Sequence, residues 1–532
     1  MRTDRPDSGK TTPGARLRQL AAVFAVVVAV IGAVTACGGA AERPATESTV
    51  VDTQFGPVRG TLTDRARVFS GIPYAAPPVG ELRWKPPVAP AIWSQERDAT
   101  KPGAQCPQRS FGQGQLSGSE DCLFLNVSTP RTTAAQHRPV MVWIHGGAFI
   151  SGSGSLYDPT RLVNAGDMVV VTINYRLGAL GFLGHPALAY DNGQVGNFGL
   201  LDQQAALRWV RDNIAAFGGD PAKVTIAGES AGAMSVCDHL VSPASDRLFH
   251  GAILQSGPCQ LQADRQTAVT ASEQYAQTLG CAEPAAAQCL RAAPAEQVAA
   301  TPLRYTGSGP ELPGPIFGQP LLPEAPLAAF RAGKAAKVPV LIGVNSDEGT
   351  LFALEPQVTA ERYPQLLQEF GVHADAVAAL YPLTGYPQPA LAWSAVLTDN
   401  TFACPIADAA KSMIRTGPVY AYEFADRNAA PVFGGPTPFP LGASHAFELP
   451  YLFDMGAERA PASQAQRDLS DKMVRYWSAF VRTGDPNGRG LPDWPRHTGD
   501  QSLVLKPDAL TTTDVAKEHR CGFWQEIPVP GR

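Results

Sequence analysis

Three patterns are absent from this chain, and each absence removes a class of function. No long run of either charge occurs: 43 Lys and Arg stand against 48 Asp and Glu in 532 residues, a formal net charge of −5. Such a chain offers no basic footprint, so nucleic acid is excluded as a partner. No tandem repeat and no heptad pattern runs through it, which argues against solenoid and coiled-coil architectures. None of the nine cysteines stands in a CxxC motif or at metal-ligand spacing from a histidine, so a zinc site is rejected and no cofactor is called for. What the chain does have is material for a core. Hydrophobic residues make up 44% and charged ones 17%, the balance of a globular protein rather than a disordered one. Plentiful Gly (51) and Pro (48) fit many loops between buried strands.

The N-terminus reads as a targeting segment. Arg2, Arg5, Lys10, Arg16 and Arg18 form a basic region, followed by an uncharged apolar stretch from Leu20 to Ala36 that ends in small residues. Val34-Thr35-Ala36-Cys37 resembles the bacterial lipoprotein lipobox, which implies a signal peptide over 1–36 and a lipidated Cys37. The alternative is an ordinary cleavable signal and a secreted protein. Residues 37–48 are small and polar, a flexible tether from a membrane anchor to the body. Assigning Cys37 to lipid leaves eight cysteines, an even set suited to an oxidising, extracytoplasmic compartment, with connectivity open.

Beyond residue 49 no composition shift marks a domain boundary. Short strands at Thr49–Thr53, Val58–Leu62 and Val68–Gly71 read as an antiparallel meander. Near-continuous apolar runs follow at Pro139–Ile144, Met168–Asn174, Lys223–Ala227, Gly251–Gln255, Val338–Val344 and Val419–Phe424, as expected of strands covered on both faces. Helical patterns at Leu200–Ala215 and Leu469–Thr483 lie among them. The alternation predicts an α/β fold with a mostly parallel central sheet. The Ala- and Pro-rich span from about 262 to 335 reads as a helical and loop insertion.

One stretch points to chemistry. Val224-Thr225-Ile226 leads into Gly228-Glu229-Ser230-Ala231-Gly232, and a helix-compatible run to Leu240 follows. Strand, tight turn and helix place a serine at an apex, with glycines where the turn folds back on itself. A second glycine-rich loop, His145-Gly146-Gly147-Ala148-Phe149-Ile150-Ser151-Gly152, closes the Pro139–Ile144 strand. Its uncovered N–H groups, with that of Ala231, suit an anion that develops during reaction. His145 reads as a loop residue. In serine hydrolases of this layout an acid and then a histidine follow the serine. Asp347 and Glu348 both end a buried strand, and physics alone does not choose between them. The histidine is one of His373, His445, His497 and His519, with His445 favoured by its loop after Val419–Phe424.

These residues resemble the type-B carboxylesterases, the branch of α/β-hydrolases that includes cholinesterases and para-nitrobenzyl esterases. The resemblance runs from about Thr49 to the C-terminus, so that 49–532 is one α/β-hydrolase domain. It is carried by Gly71-Ile72-Pro73-Tyr74 with Pro77-Pro78-Val79-Gly80, by Glu120-Asp121-Cys122-Leu123-Phe124-Leu125-Asn126-Val127, by the Ser230 motif, by Asn345-Ser346-Asp347-Glu348-Gly349 and by the His445 loop. It implies Ser230 as nucleophile, Glu348 as acid and His445 as base, with oxyanion donors at Gly147, Ala148 and Ala231. It also implies disulfides Cys106–Cys122, Cys281–Cys289 and Cys404–Cys521, leaving Cys237–Cys259 as an extra pair. Arg83 with Glu120 and Arg176 with Asp202 resemble the family's structural ion pairs. The expected activity is hydrolysis of small to medium carboxylic esters through an acyl-enzyme. An interfacial lipase on longer chains and a non-catalytic binding module are the alternatives. The segment between Cys106 and Cys122 is short and has no Trp, so the cation–π grip on a choline ester is not expected.

Overall fold

In a computed structural model the protein is described over residues 48–109, 116–132, 137–305, 312–354, 357–433 and 435–527. The signal segment, Cys37 and the tether up to residue 47 lie outside the described residues. The described residues form one compact unit.

Its centre is an eleven-stranded sheet. In chain order the strands are β1 (Thr61–Leu62), β2 (Ala66–Pro73), β3 (Phe124–Pro130), β4 (Arg138–Ile144), β5 (Val169–Ile173), β6 (Gly219–Glu229), β7 (Gly251–Gln255), β8 (Val340–Asn345), β9 (Val419–Phe424), β10 (Ser502–Leu505) and β11 (Thr511–Thr513). Across the sheet they run β11-β10-β9-β8-β7-β6-β4-β5-β3-β2-β1. The pairs from β5 through β4, β6, β7, β8 and β9 to β10 are parallel; β1, β2, β3 and β11 pair antiparallel at the flanks. Every residue of β4, β5, β7, β8 and β9 is buried. That is why these segments read as unbroken apolar runs, since each strand must satisfy a layer on both faces. The first expected strands behave differently. Val50–Thr53 and Gly56–Arg59 join Arg97–Asp98 in a separate three-stranded sheet, and only the chain after Gly60 enters the main one. A side chain at Gly60 would lie 2.5 Å from the Val68 carbonyl, so the chain passes β2 there as bare backbone.

Three helices place the site. α1 (Phe198–Asn213) packs near α2 (Ala231–Val241), which follows β6 directly, and α3 is Gln464–Thr483. α3 begins five residues before its apolar pattern. Ser463 and Gln466 form a capping box, each side chain accepting from the other's N–H, and this fixes the start where no apolar residue could mark it. The 262–335 span contributes the helices Arg265–Thr278, Ala286–Ala292, Ala295–Ala300 and Pro326–Arg331. All four disulfides form: Cys106–Cys122, Cys237–Cys259, Cys281–Cys289 and Cys404–Cys521. Both ion pairs form as well, Arg83–Glu120 at 2.5 Å and Arg176–Asp202 at 2.7 Å.

Candidate active site

The functional residues gather where the parallel strands end, the edge at which open α/β sheets collect ligands. Ser230 links β6 to α2 with φ 55° and ψ −125°, a conformation costly for any residue with a side chain. The neighbouring glycines explain how the turn closes. A Cβ at Gly228 would lie 2.4 Å from the Gly232 carbonyl carbon, and one at Gly232 would lie 2.0 Å from the Ile144 oxygen. The Ser230 N–H donates to the Gln255 carbonyl at 2.9 Å, which ties the apex to β7. Ala231, first residue of α2, has an N–H with no place in the helical ladder.

The loop after β4 lies against this apex: a Cβ at Gly146 would be 3.0 Å from Ser230 Cβ. Gly147, Ala148 and Phe149 take φ of 104°, 55° and 58° in succession. Their strain is held by backbone bonds from Ile150 and Ser151 N–H to the Gly147 carbonyl and from Gly178 N–H to Phe149 O. The Gly147 and Ala148 N–H groups donate to no acceptor among the described residues. His145 is structural, as its position suggested. Its ring stacks on Tyr175 at 4.4 Å, and burial lowers its pKa to about 4, so it carries no charge.

His445 lies in the long irregular stretch after β9. Its Nδ1 is 2.5 Å from Glu348 Oε2 and its Nε2 is 3.2 Å from Glu229 Oε1. Because Glu229 directly precedes Ser230, the imidazole reaches from the end of β8 to the elbow. In this structure Nε2 faces the Glu229 carboxylate instead of hydrogen-bonding the serine hydroxyl; such bonds shorten when substrate arrives. Glu348 is fully buried, and its Oε1 accepts the Asn345 N–H at 2.8 Å. Asp347, the other acid left open by the sequence, points away: it pairs with Arg427 and accepts from the Ala443 N–H. The other histidines lie apart. His497 bonds the Gln501 carbonyl, His519 sits between Asp399 and Glu423, and His373 ends a 3-10 segment, Leu367–His373.

Four residues at the site carry no role in the sequence reading: Glu229, Glu448, Phe352 and Phe402. Burial pushes the Glu229 carboxyl up to about 8, assisted by Glu448 and Glu348. Burial also opposes charge on His445, yet the Glu229 and Glu348 carboxylates outweigh it and raise the imidazole to about 9. Glu448, three residues past His445, bonds Asn345 and Gln255 side chains behind the pair. Phe352 and Phe402 stack on each other at 5.3 Å and flank the imidazole at 5.1 and 5.0 Å. Phe352 remains 40% exposed, whereas Phe402 is buried. Glu229 and Glu448 lay inside motifs already singled out. Phe402 sits in a π-helical turn, Thr398–Ala403, that no sequence pattern announced.

A serine on a strained strand-to-helix turn, a donor loop one strand away, an acid just past a later strand and a histidine on the loop after the next define an α/β-hydrolase. Comparison with known proteins narrows the class. The profile described as "Carboxylesterase family" matches residues 47–382 and 384–524. The chain is 38% identical over 496 residues to the para-nitrobenzyl esterase of Bacillus subtilis (strain 168), spanning 88% of this chain and 97% of that one. It is 34% identical over 521 residues to the cocaine esterase of Homo sapiens, spanning 90% and 91%. A solved PNB esterase superposes with a TM-score of 0.77 at 35% identity, covering 90% of this chain and all of that one. The chain belongs to the carboxylesterase family and is a hydrolase of carboxylic esters.

Proposed function

We propose that Ser230 is the nucleophile, His445 its general base and Glu348 the acid that orients the imidazole. The observation that carries this reading is the Nδ1 contact to Glu348 with Nε2 turned to the elbow. As the hydroxyl attacks an ester carbonyl, Nε2 takes its proton, and Glu348 stabilises the imidazolium that forms. The N–H groups of Gly147, Ala148 and Ala231 bind the oxyanion, and their strained, fixed arrangement needs no reorganisation at that moment. The imidazolium then protonates the leaving alcohol. Water attacks the acyl-serine with the same base, and the acid is released.

The Phe352–Phe402 wall and the para-nitrobenzyl and cocaine esterase relatives support small to medium esters with an apolar or aromatic group as substrates. Ser230→Ala should lose at least about a thousandfold in kcat on para-nitrophenyl butyrate, and the intact protein should be labelled on Ser230 by a fluorophosphonate. Full activity in Ser230→Ala would refute the assignment. The protein acts outside the cytoplasm, anchored through lipid on Cys37, a reading supported by the lipobox-like sequence and four disulfides. Mass measurement of the mature N-terminus tests it; an unmodified or uncleaved Cys37 overturns it.

A further inference from the structure

We propose that Asp347 is a positioning residue: with Arg427 it clamps the loop that carries His445, so that the imidazole meets Glu348. Two consecutive carboxylates thus divide one task. Glu348 holds the imidazole, and Asp347 holds the main chain that bears it.

The need for a clamp follows from the topology. Among the described residues between the end of β9 at Phe424 and His445 no strand or helix intervenes, so no regular element among them fixes the loop in register. The fastening comes instead from residues 345–350, at the end of β8 and just past it. The Asp347 N–H donates to the Ala443 carbonyl at 3.1 Å, and the Ala443 N–H donates back to Asp347 Oδ2 at 3.0 Å. Gly442 makes room for this exchange: its φ is +64°, and a Cβ there would lie 2.5 Å from Asp347 Oδ2. Thr350 Oγ1 is 2.7 Å from both Leu441 O and Ser444 Oγ, and Asn345 Nδ2 donates to Ser444 O at 2.7 Å. Three of the four residues just before His445, namely Leu441, Ala443 and Ser444, are thereby bonded in place.

The Asp347 carboxylate is itself aimed by a two-pronged contact, Arg427 Nε on Oδ2 at 3.0 Å and Nη2 on Oδ1 at 3.1 Å, and by the Ser346 hydroxyl at 3.0 Å. An exposed ion pair alone stabilises little. Here Asp347 is 20% exposed and Arg427 70%, and the fork serves direction rather than stability, since two parallel bonds fix the carboxylate plane. A loop displacement near 1 Å at a catalytic base costs on the order of 100-fold in rate.

The inference rests on His445 being the base. Its test measures kcat and KM on para-nitrophenyl butyrate for full-length Asp347→Ala, Arg427→Met and Arg427→Lys. Each is normalised to active sites titrated with a fluorophosphonate, and Ser230→Ala and His445→Ala run alongside. The expected result is a fall in kcat on the order of 30-fold for Asp347→Ala, with KM changed less than about threefold. Arg427→Met shifts in the same direction by less and leaves the buried structure untouched, and Arg427→Lys recovers part of the loss. The acidic limb of kcat/KM in Asp347→Ala moves to lower pH, because an imidazole less firmly on Glu348 binds its proton less tightly; Glu229 and Glu448, the other carboxylates facing it, are unchanged. Wild-type kcat per titrated site in both Asp347→Ala and Arg427→Met overturns the inference. Activity surviving in His445→Ala overturns the reading beneath it instead.

Discussion

Gly232→Ala adds one methyl group at the tightest point of the elbow, and the geometry sets the consequence. The new Cβ would stand 2.0 Å from the Ile144 carbonyl oxygen and 2.9 Å from that of His145. Ordinary contact lies near about 3.5 Å, so α2 must retreat from the end of β4 by roughly 1.5 Å. Both obstructing atoms are backbone of a buried strand end, which cannot step aside as a flexible side chain would. Ser230 and the Ala231 N–H ride on the displaced helix, whereas Gly147 and Ala148 stay with β4, so nucleophile and donor loop separate. A misplacement of this size costs about 100-fold, or about 2.7 kcal/mol in the barrier. The fold should survive, since overpacking costs about 1–3 kcal/mol against a typical total of about 5–15 kcal/mol. The assay is kcat/KM on para-nitrophenyl butyrate per correctly folded molecule, with a thermal melt in parallel. Gly522→Ala is the control, since a Cβ there meets nothing within 4 Å. Activity of Gly232→Ala within threefold of wild type would refute the argument that this glycine sets the elbow.

Further predictions rest on other parts of the molecule. Glu229→Gln removes a carboxylate that favours the imidazolium, so the acidic limb of kcat/KM should move down by at least about one pH unit; a limb that stays or rises sinks that account. His519 is buried between Asp399 at 2.6 Å and Glu423 at 2.8 Å. Burial opposes its charge, but those carboxylates prevail and raise its pKa from 6.5 to about 10. A raised folded pKa gives stability that is complete below about 6.5 and is lost as pH climbs through about 10. His519→Gln should therefore lower the urea midpoint at pH 6, by about 3–5 kcal/mol of stability if the broken pair behaves as a buried one, and flatten the fall toward pH 10. An unchanged pH slope counts against it. Removing Cys237–Cys259, which spans 22 residues, as a double Cys→Ser variant should cost about 3 kcal/mol in unfolding measurements, and no loss would show the bridge to be idle.

Much of this fold is legible in the amino-acid sequence. Strands buried on both faces announce themselves by unbroken apolar runs, so Gly251–Gln255 and Val419–Phe424 match their observed bounds. The elbow was legible because glycine spacing encodes close backbone approach, and the structure shows the carbonyl that demands each one. Edges were harder. β10 has four residues and β11 is a run of threonines, too short for a period to emerge. The separation of the first two strands into their own sheet depends on partners at Arg97–Asp98, nearly forty residues on. The choice between Asp347 and Glu348 needed the resemblance, because adjacent residues differ only in the direction their side chains leave the turn. Geometry then separates them, one toward His445 and one toward Arg427.

Three buried carboxylates around one imidazole would ordinarily be untenable, and the way each is stabilised bears on how the site works. Glu348 takes the Asn345 N–H, while Glu448 takes the Asn345 and Gln255 side-chain amides. Gln255 is aimed in turn by the Trp477 indole N–H at 2.9 Å. Glu229 has no such donor and is pushed toward its neutral form by burial. All these partners are uncharged. An arginine or lysine in place of Asn345 or Gln255 would satisfy the oxygens better, but its field would cancel the pull that the carboxylates exert on the histidine. Neutral amides hold the carboxylates in place and leave that pull intact, so the imidazolium formed during attack stays stabilised without a competing cation. The prediction is specific: Gln255→Lys should lower the pKa seen in kcat/KM and reduce kcat, whereas Gln255→Glu should raise that pKa. If both variants shift the profile in the same direction, the amide contributes only packing.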